Sequence, residues 1–254
     1  MDDAQLATTL TDIRPELLRY LTRLTGSPDS AEDVVQQTYI RAHGALERAP
    51  TSSEEQRRWL FRIATNLALD ELRRRKRWQA GGVIELRQLA EGNAAFMERS
   101  AAMVATPEAT TIVREHLDVC FGCVVRNLPA AQAASVLLRE LHDFSVAEVA
   151  TILDSRPTQV KNWIQSGRRT MQARYAETCA LVTKRGICHQ CSELSTFFHA
   201  PGPSAIGIAD AAMDERLSVI RPLKDVAVGT WHRNLLNLCE TVNGHVRTGR
   251  SGRP

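Results

Sequence analysis

Apolar residues recur at helical spacing along most of the chain, and clusters of Gly, Pro, Ser and Asp punctuate them. Leu17, Leu18, Leu21 and Leu24 share one face before Gly26-Ser27-Pro28-Asp29 breaks the pattern. Ser30-Ala31-Glu32-Asp33 has the form of a helix start, with Ser30 satisfying an orphan amide and Asp33 suiting the positive helix end. Ala31, Val34, Val35, Thr38 and Ala42 then form a stripe. Pro50-Thr51-Ser52-Ser53 interrupts again, and Ser52 with Glu55 repeats the capping signature. The next helix turns Leu60, Ile63, Ala64, Leu67 and Ala68 inward and runs into Arg73–Arg77. Together these stretches predict one helical domain over residues 10–78.

Across 79–112 the periodicity weakens. Gly81-Gly82, Gly92-Asn93 and Pro107 divide short apolar pieces, so this stretch reads as a flexible linker. A second helical unit is expected over 113–178. Within it Ser145 caps a short helix that faces Val146, Val149, Ala150 and Leu153 inward. Ala150 is small enough for a close crossing, Asp154 suits a left-handed turn, and Pro157 fits the first turn of the following helix. Val160 and Ile164 fall on the buried side of that helix. Its other side carries Thr158, Gln159, Lys161, Asn162, Gln165 and Arg168, donors and acceptors able to read base edges or hold phosphates in a major groove. Two antiparallel helices with a solvated polar face would give the same pattern. A third segment, 179–246, opens with cysteines, is divided by Pro201-Gly202-Pro203, and carries Trp231, Leu235, Leu238 and Val242 on one helical face. Residues 247–254 read as a disordered tail. The fold class expected is all-α, with two helical domains joined by a flexible linker and a small helical cysteine-containing C-terminal extension.

The net charge of +3 does not by itself announce a nucleic-acid binder; the distribution of charge does more. Between Gln56 and Arg77 lie Arg57, Arg58, Arg62, Arg73, Arg74, Arg75, Lys76 and Arg77, opposed only by Asp70 and Glu71. No stretch approaches the roughly 20 apolar residues that span a bilayer, and the start has no secretory pattern, so no membrane association and a cytoplasmic location are expected. No His-Glu-x-x-His, Gly-rich phosphate loop or nucleophile elbow occurs, which weighs against an enzyme.

In a cytoplasmic chain the six cysteines read as thiols or metal ligands. Cys188 and Cys191 form a Cys-x-x-Cys pair after a glycine and could share a tetrahedral zinc or other thiolate-binding metal. Cys179 supplies a third candidate ligand. The fourth is open among His189, His199, His232 and Cys239, with His232 taken first. A redox dithiol or simple packing would also account for these cysteines. Cys120 and Cys123, in a run with Phe121, Val124 and Val125, read as core.

Residues 31–39 (Ala-Glu-Asp-Val-Val-Gln-Gln-Thr-Tyr) and 59–74 (Trp-Leu-Phe-Arg-Ile-Ala-Thr-Asn-Leu-Ala-Leu-Asp-Glu-Leu-Arg-Arg) resemble region 2 of the extracytoplasmic-function (ECF) sigma factors. Residues 128–175 look like region 4 of the same family, in the same order and at a similar separation. The resemblance implies a promoter-specificity subunit of RNA polymerase. Asp33, Gln36 and Gln37 would meet the clamp of the polymerase core. Arg62 and Asn66 would hold the unpaired −10 strand, with Arg73, Arg74 and Arg77 on phosphates, while Trp59 is read as core rather than as a stacking platform. The second unit would read the −35 element, and an anti-sigma factor is a further candidate partner. Thr158-Gln159 stands where the family usually has Gly-Thr, and Trp163 where a basic residue is common, which puts the −35 preference in doubt. The extension resembles cysteine-rich tails of some members that sense metal in place of a separate anti-sigma factor. The competing reading is a stand-alone helix-turn-helix regulator with a zinc-stabilised C-terminal module.

Overall fold

The computed structural model describes residues 2–74, 109–178, 213–229 and 232–233, and all regular structure among them is helical. The first bundle comprises α1 (Asp3–Thr25), α2 (Pro28–His43) and α3 (Ser53–Arg74), with a short 3-10 turn at Leu46–Arg48. Helix α1 begins upstream of the leucine stripe. Asp2 accepts from the Gln5 amide while the Gln5 side chain accepts from the Asp2 amide, and Leu6 is buried. It ends at Gly26, whose φ of 83° is the left-handed geometry that favours glycine.

Helix α2 is capped by Ser27, whose hydroxyl accepts from the Ser30 amide at 3.2 Å. The sequence pattern had suggested Ser30 for that role. Pro28 decides the matter, because a first-turn proline needs no amide partner, and Ser30 instead lies buried inside the helix. At the start of α3, Ser52 accepts from the Glu55 amide and donates to its carboxylate, as the sequence predicts. The three helices enclose Leu17, Tyr20, Leu21, Leu24, Val34, Val35, Leu60, Phe61 and Ala64. The Tyr20 and Thr65 hydroxyls satisfy one another at 3.0 Å in this core.

The second bundle contains α4 (Ala109–Val125), α5 (Ala130–Leu141), α6 (Val146–Ile152) and α7 (Pro157–Thr178). Residues 109–112, read as linker from sequence, are already helical; the rest of that stretch lies outside the described residues. Helices α6 and α7 form the expected helix-turn-helix. Ser145 and Glu148 make a reciprocal capping box, Asp154 adopts φ 49°, and Pro157 opens α7. Val160 is fully buried, and Trp163 and Ile164 pack half-buried against the core. Gly167 lets α7 approach α5 closely, since a Cβ there would lie 2.6 Å from Val136 Cγ2.

The bundles pack on each other, with α1 and α3 touching α4, α5 and α6. A last helix, α8 (Met213–Ile220), lies on α4 and α5. Trp231, Leu235, Leu238 and Val242 lie outside the described residues. No helix among the described residues is long and apolar enough to cross a membrane.

The Gly167 contact makes a direct prediction. Gly167→Val should destabilise the second bundle by about 1–3 kcal/mol through overpacking against Val136, seen as a lower thermal midpoint with little change in the native circular dichroism spectrum.

Candidate nucleic-acid interface

Two exposed polar faces carry the candidate contacts. On α3, Arg62, Asn66 and Arg73 are exposed and stand four and seven residues apart, within about 40° of one helical face. Arg74 is exposed beside them and bonds the Asp70 carbonyl, while Arg73 pairs with the Asp70 carboxylate at 2.6 Å. Arg77 lies outside the described residues. On α7, Thr158, Gln159, Lys161, Asn162 and Gln165 are all exposed, opposite buried Val160. Arg168 continues that face but is half-buried, held by Glu140 at 2.9 Å and by Asp214 of α8. A helix end presenting such amides and cations suits a major groove.

A third face lies on α2. Asp33, Gln36 and Gln37 are exposed, and Ile40 extends the same face with 59% of its surface open. Sequence reasoning missed Ile40. The available signal was an isoleucine off the buried stripe and seven residues from Asp33, where a helix turns back to the same side.

The first part of the basic run has another role. Arg57 clasps the Glu16 carboxylate with two bonds of 3.0 and 2.6 Å, donates to the His142 carbonyl, and stacks 4.1 Å over the Phe144 ring. Arg58 reaches Glu148 of α6 at 3.4 Å. These two arginines therefore join the bundles, and among the described residues Arg62, Arg73 and Arg74 carry the exposed cationic face of α3. Nothing in a linear basic run distinguishes its buried members from its exposed ones.

His142 sits fully buried in this joint. Its Nε2 lies 3.2 Å from Arg23 Nη1, and an arginine can only donate, so Nε2 accepts and Nδ1 carries the proton given to Glu16 at 3.0 Å. Burial pushes the imidazole down to about 4 despite the Glu16 bond. Burial would raise Glu16, but hydrogen bonds from His142 and Arg57 outweigh it and hold the carboxyl at about 2. Beneath the joint, Asp118 of α4 meets Arg23 at 2.6 Å and also Arg19, all three nearly inaccessible.

Of the metal candidates, Cys179, Cys188 and Cys191 lie outside the described residues. His232 is buried with Nδ1 2.7 Å from Glu115 Oε2. No group of three or more potential ligand residues converges among the described residues. Cys120 and Cys123 are half-buried, and Cys123 Sγ accepts from Arg126 at 3.0 Å.

Comparison with known proteins follows the same division. The family model "Sigma-70 region 2" matches residues 10–78, and "Sigma-70, region 4" matches 118–171. The chain carries both sigma-70 regions in order and is similar to the ECF sigma factors. It is 32% identical over 174 residues to the ECF RNA polymerase sigma factor SigG of Mycobacterium tuberculosis, covering 63% of this chain and 45% of that one. SigE of Mycolicibacterium smegmatis is 29% identical, over 59% of this chain and 53% of its own. SigW of Bacillus subtilis is 26% identical, over 59% and 78%. This chain thus spans about half the length of SigG and SigE. Within the ECF frame, α1–α3 correspond to region 2, and α7 falls largely inside the region 4 match.

The joint predicts an acid response. His142 titrates near 6.5 when unfolded and near 4 in place, so between those values the unfolded chain binds a proton the native one refuses. Stability should therefore be full above pH 6.5 and fall towards pH 4, with Glu16 adding a further loss below 4.5. Urea midpoints measured across that range should drop more steeply for the wild type than for His142→Gln. Parallel curves would remove His142 as the cause.

Proposed function

We propose that this chain directs RNA polymerase core to promoters and helps to open them, as a sigma factor of the ECF type. The observation that carries the reading is the pairing, in one chain and in family order, of a region 2 bundle and a region 4 helix-turn-helix, each with an exposed polar face of DNA-contacting chemistry. The proposed units are 10–78 for clamp docking and −10 capture, 79–112 as connector, and 113–178 for the −35 element. In this scheme Asp33, Gln36, Gln37 and Ile40 of α2 dock on the clamp. Arg62 and Asn66 hold the separated −10 strand, with Arg73, Arg74 and Arg77 on phosphates. Thr158, Gln159, Lys161, Asn162 and Gln165 read the −35 groove, and Arg168 holds a phosphate at its edge. The similarity to SigG, SigE and SigW, each an ECF RNA polymerase sigma factor, supports the polymerase assignment.

The protein acts in the cytoplasm and has no catalytic activity of its own, and promoter selection needs no cofactor. The extension 179–246 is assigned a modulating role through metal or redox state. Three thiolates with one imidazole, Cys179, Cys188, Cys191 and His232, suit zinc, and the Glu115 carboxylate on His232 is the kind of group that orients a ligand imidazole. An anti-sigma factor is a partner compatible with the same surfaces. The stand-alone regulator accounts less well for the chain, because it gives the exposed α2 face no task.

Run-off transcription with core polymerase on the chain's own upstream region tests the assignment. A specific transcript that depends on the chain is expected. Lys161→Ala and Gln165→Ala should each lower it roughly five- to 150-fold, at about 1–3 kcal/mol per lost base contact, while leaving core binding intact. Ile40→Asp should do the reverse, weakening core binding and sparing the isolated affinity for duplex DNA. Absence of both transcript and core binding would favour the stand-alone regulator.

A further inference from the structure

Where α1 meets α4, the described residues bury more positive than negative charge. The side chains of Arg19, Arg23 and Asp118 are each 2% exposed, so two guanidiniums face a single carboxylate. Asp118 Oδ1 takes Arg23 at 2.6 Å, and Oδ2 lies 2.5 Å from Arg19 Nη2. The neighbouring acids are committed elsewhere. Glu16 is held by Arg57 and His142, and Glu115 by His232 and the Gly229 amide. One buried positive charge therefore remains without a carboxylate of its own, which is strongly destabilising unless an anion meets it.

The donors of Arg19 mark where that charge is felt. Arg23 donates to Asp118 and the Leu223 carbonyl and also meets His142. On Arg19, by contrast, Nε and Nη1 are buried with no hydrogen-bond partner among the described residues. Beside them lies a small cavity lined by Arg19, Arg23, Asp118 and Arg126, with Val119 and Val228 as its apolar wall. Its volume of about 10 Å³ admits a single water-sized sphere. Size and charge together select the occupant. Phosphate, sulfate and carboxylates are too large for the space. A water fits, but it brings no charge to offset the second arginine. A single small anion both accepts from the orphan N–H groups and neutralises the cluster, and apolar walls strengthen the attraction.

We propose that this cavity is a binding site for one small monovalent anion of the chloride class, held by the Arg19 guanidinium. Asp118 then balances one arginine of α1 and the anion balances the other. The site lies outside both polar faces assigned to nucleic acid, and it does not depend on the sigma-factor reading. Because only the folded chain forms the cavity, the anion stabilises the native state by mass action.

Thermal melts of the full chain in rising chloride test the site, with gluconate, too bulky for the cavity, keeping ionic strength constant at fixed pH. The wild-type midpoint should climb by a few degrees along a saturating curve, whereas a general salt effect would continue without levelling. Arg19→Gln should remove the saturable part. Should that variant fail to fold, Gly122→Ala keeps every charge and adds a methyl group to the cavity lining, where it makes an ordinary contact with Arg23. Its chloride dependence should be several-fold weaker than that of the wild type. Crystals of the wild type grown in bromide should show an anomalous peak within hydrogen-bonding distance of Arg19. A wild-type midpoint with no saturable response to chloride, as a water-filled cavity would give, overturns the proposal. An undiminished response in the folded variants, or bromide bound only elsewhere, overturns it equally.

Discussion

A single carboxylate, Asp118, lies between Arg19 and Arg23 with scarcely any solvent contact, and much of the packing between the bundles follows from it. Burying such a trio costs several kcal/mol per ion, and only mutual attraction with well-placed hydrogen bonds offsets that cost. Arg23 spreads its donors over Asp118, His142 and the Leu223 carbonyl, so its charge is satisfied by three separate parts of the chain. Gly122 places α4 directly against α1 here, where a Cβ would make an ordinary contact with the Arg23 backbone at 3.4 Å. With α4 withdrawn, α1 would present two arginines without their carboxylate. The face of α1 is therefore composed to be covered.

The same constraint divides α3 into two working lengths. Near its start, Arg57, Arg58 and Phe61 face the second bundle, where cation, carboxylate and aromatic ring supply both attraction and apolar burial. From Arg62 onward its polar face remains exposed and mostly cationic. Clustered arginines suit both uses, because the guanidinium stacks on rings and forms paired bonds to carboxylates or phosphates alike. What separates the two is that other helices supply acidic partners at one end, whereas at the other Arg73 pairs with Asp70 of its own helix and Arg62 is exposed.

Local features were legible in the sequence because local rules govern them. Ser145, Asp154 and Pro157 specify the helix-turn-helix through capping, a left-handed turn and a fixed φ, and the α7 face follows from a 3.6-residue period. The same rules were less decisive at Ser27 and Ser30, where two serines compete and Pro28 settles the register. Residues 109–112 resemble linker by composition but continue into α4. Long-range partners were beyond such rules. Glu16 and His142 are 126 positions apart, and no periodicity relates them. Arg57 and Arg62 carry the same charge five residues apart, yet one is clasped and the other exposed. The role of each is set by which bundle surface it meets, which only tertiary packing decides.

That dependence extends to the C-terminal segment, whose charges alternate in step with its partners. Asp214 meets Arg168 of α7, whereas Arg221 and Lys224 meet Glu140 at the end of α5 and Asp143 just beyond it. These pairs are partly exposed, so each is weak and salt-sensitive on its own. Their collective placement matters more than their strength, because every one of them is anchored to the same short segment, and Leu217 and Ile220 are buried beneath it. Apolar burial fixes the segment on the second bundle, and the ion pairs select its orientation. Arg168 is thereby shared between this segment and the exposed polar face of α7. Whatever changes the fit of this segment changes the availability of that guanidinium, so residues far along the chain are coupled to the polar face of α7 through a single side chain.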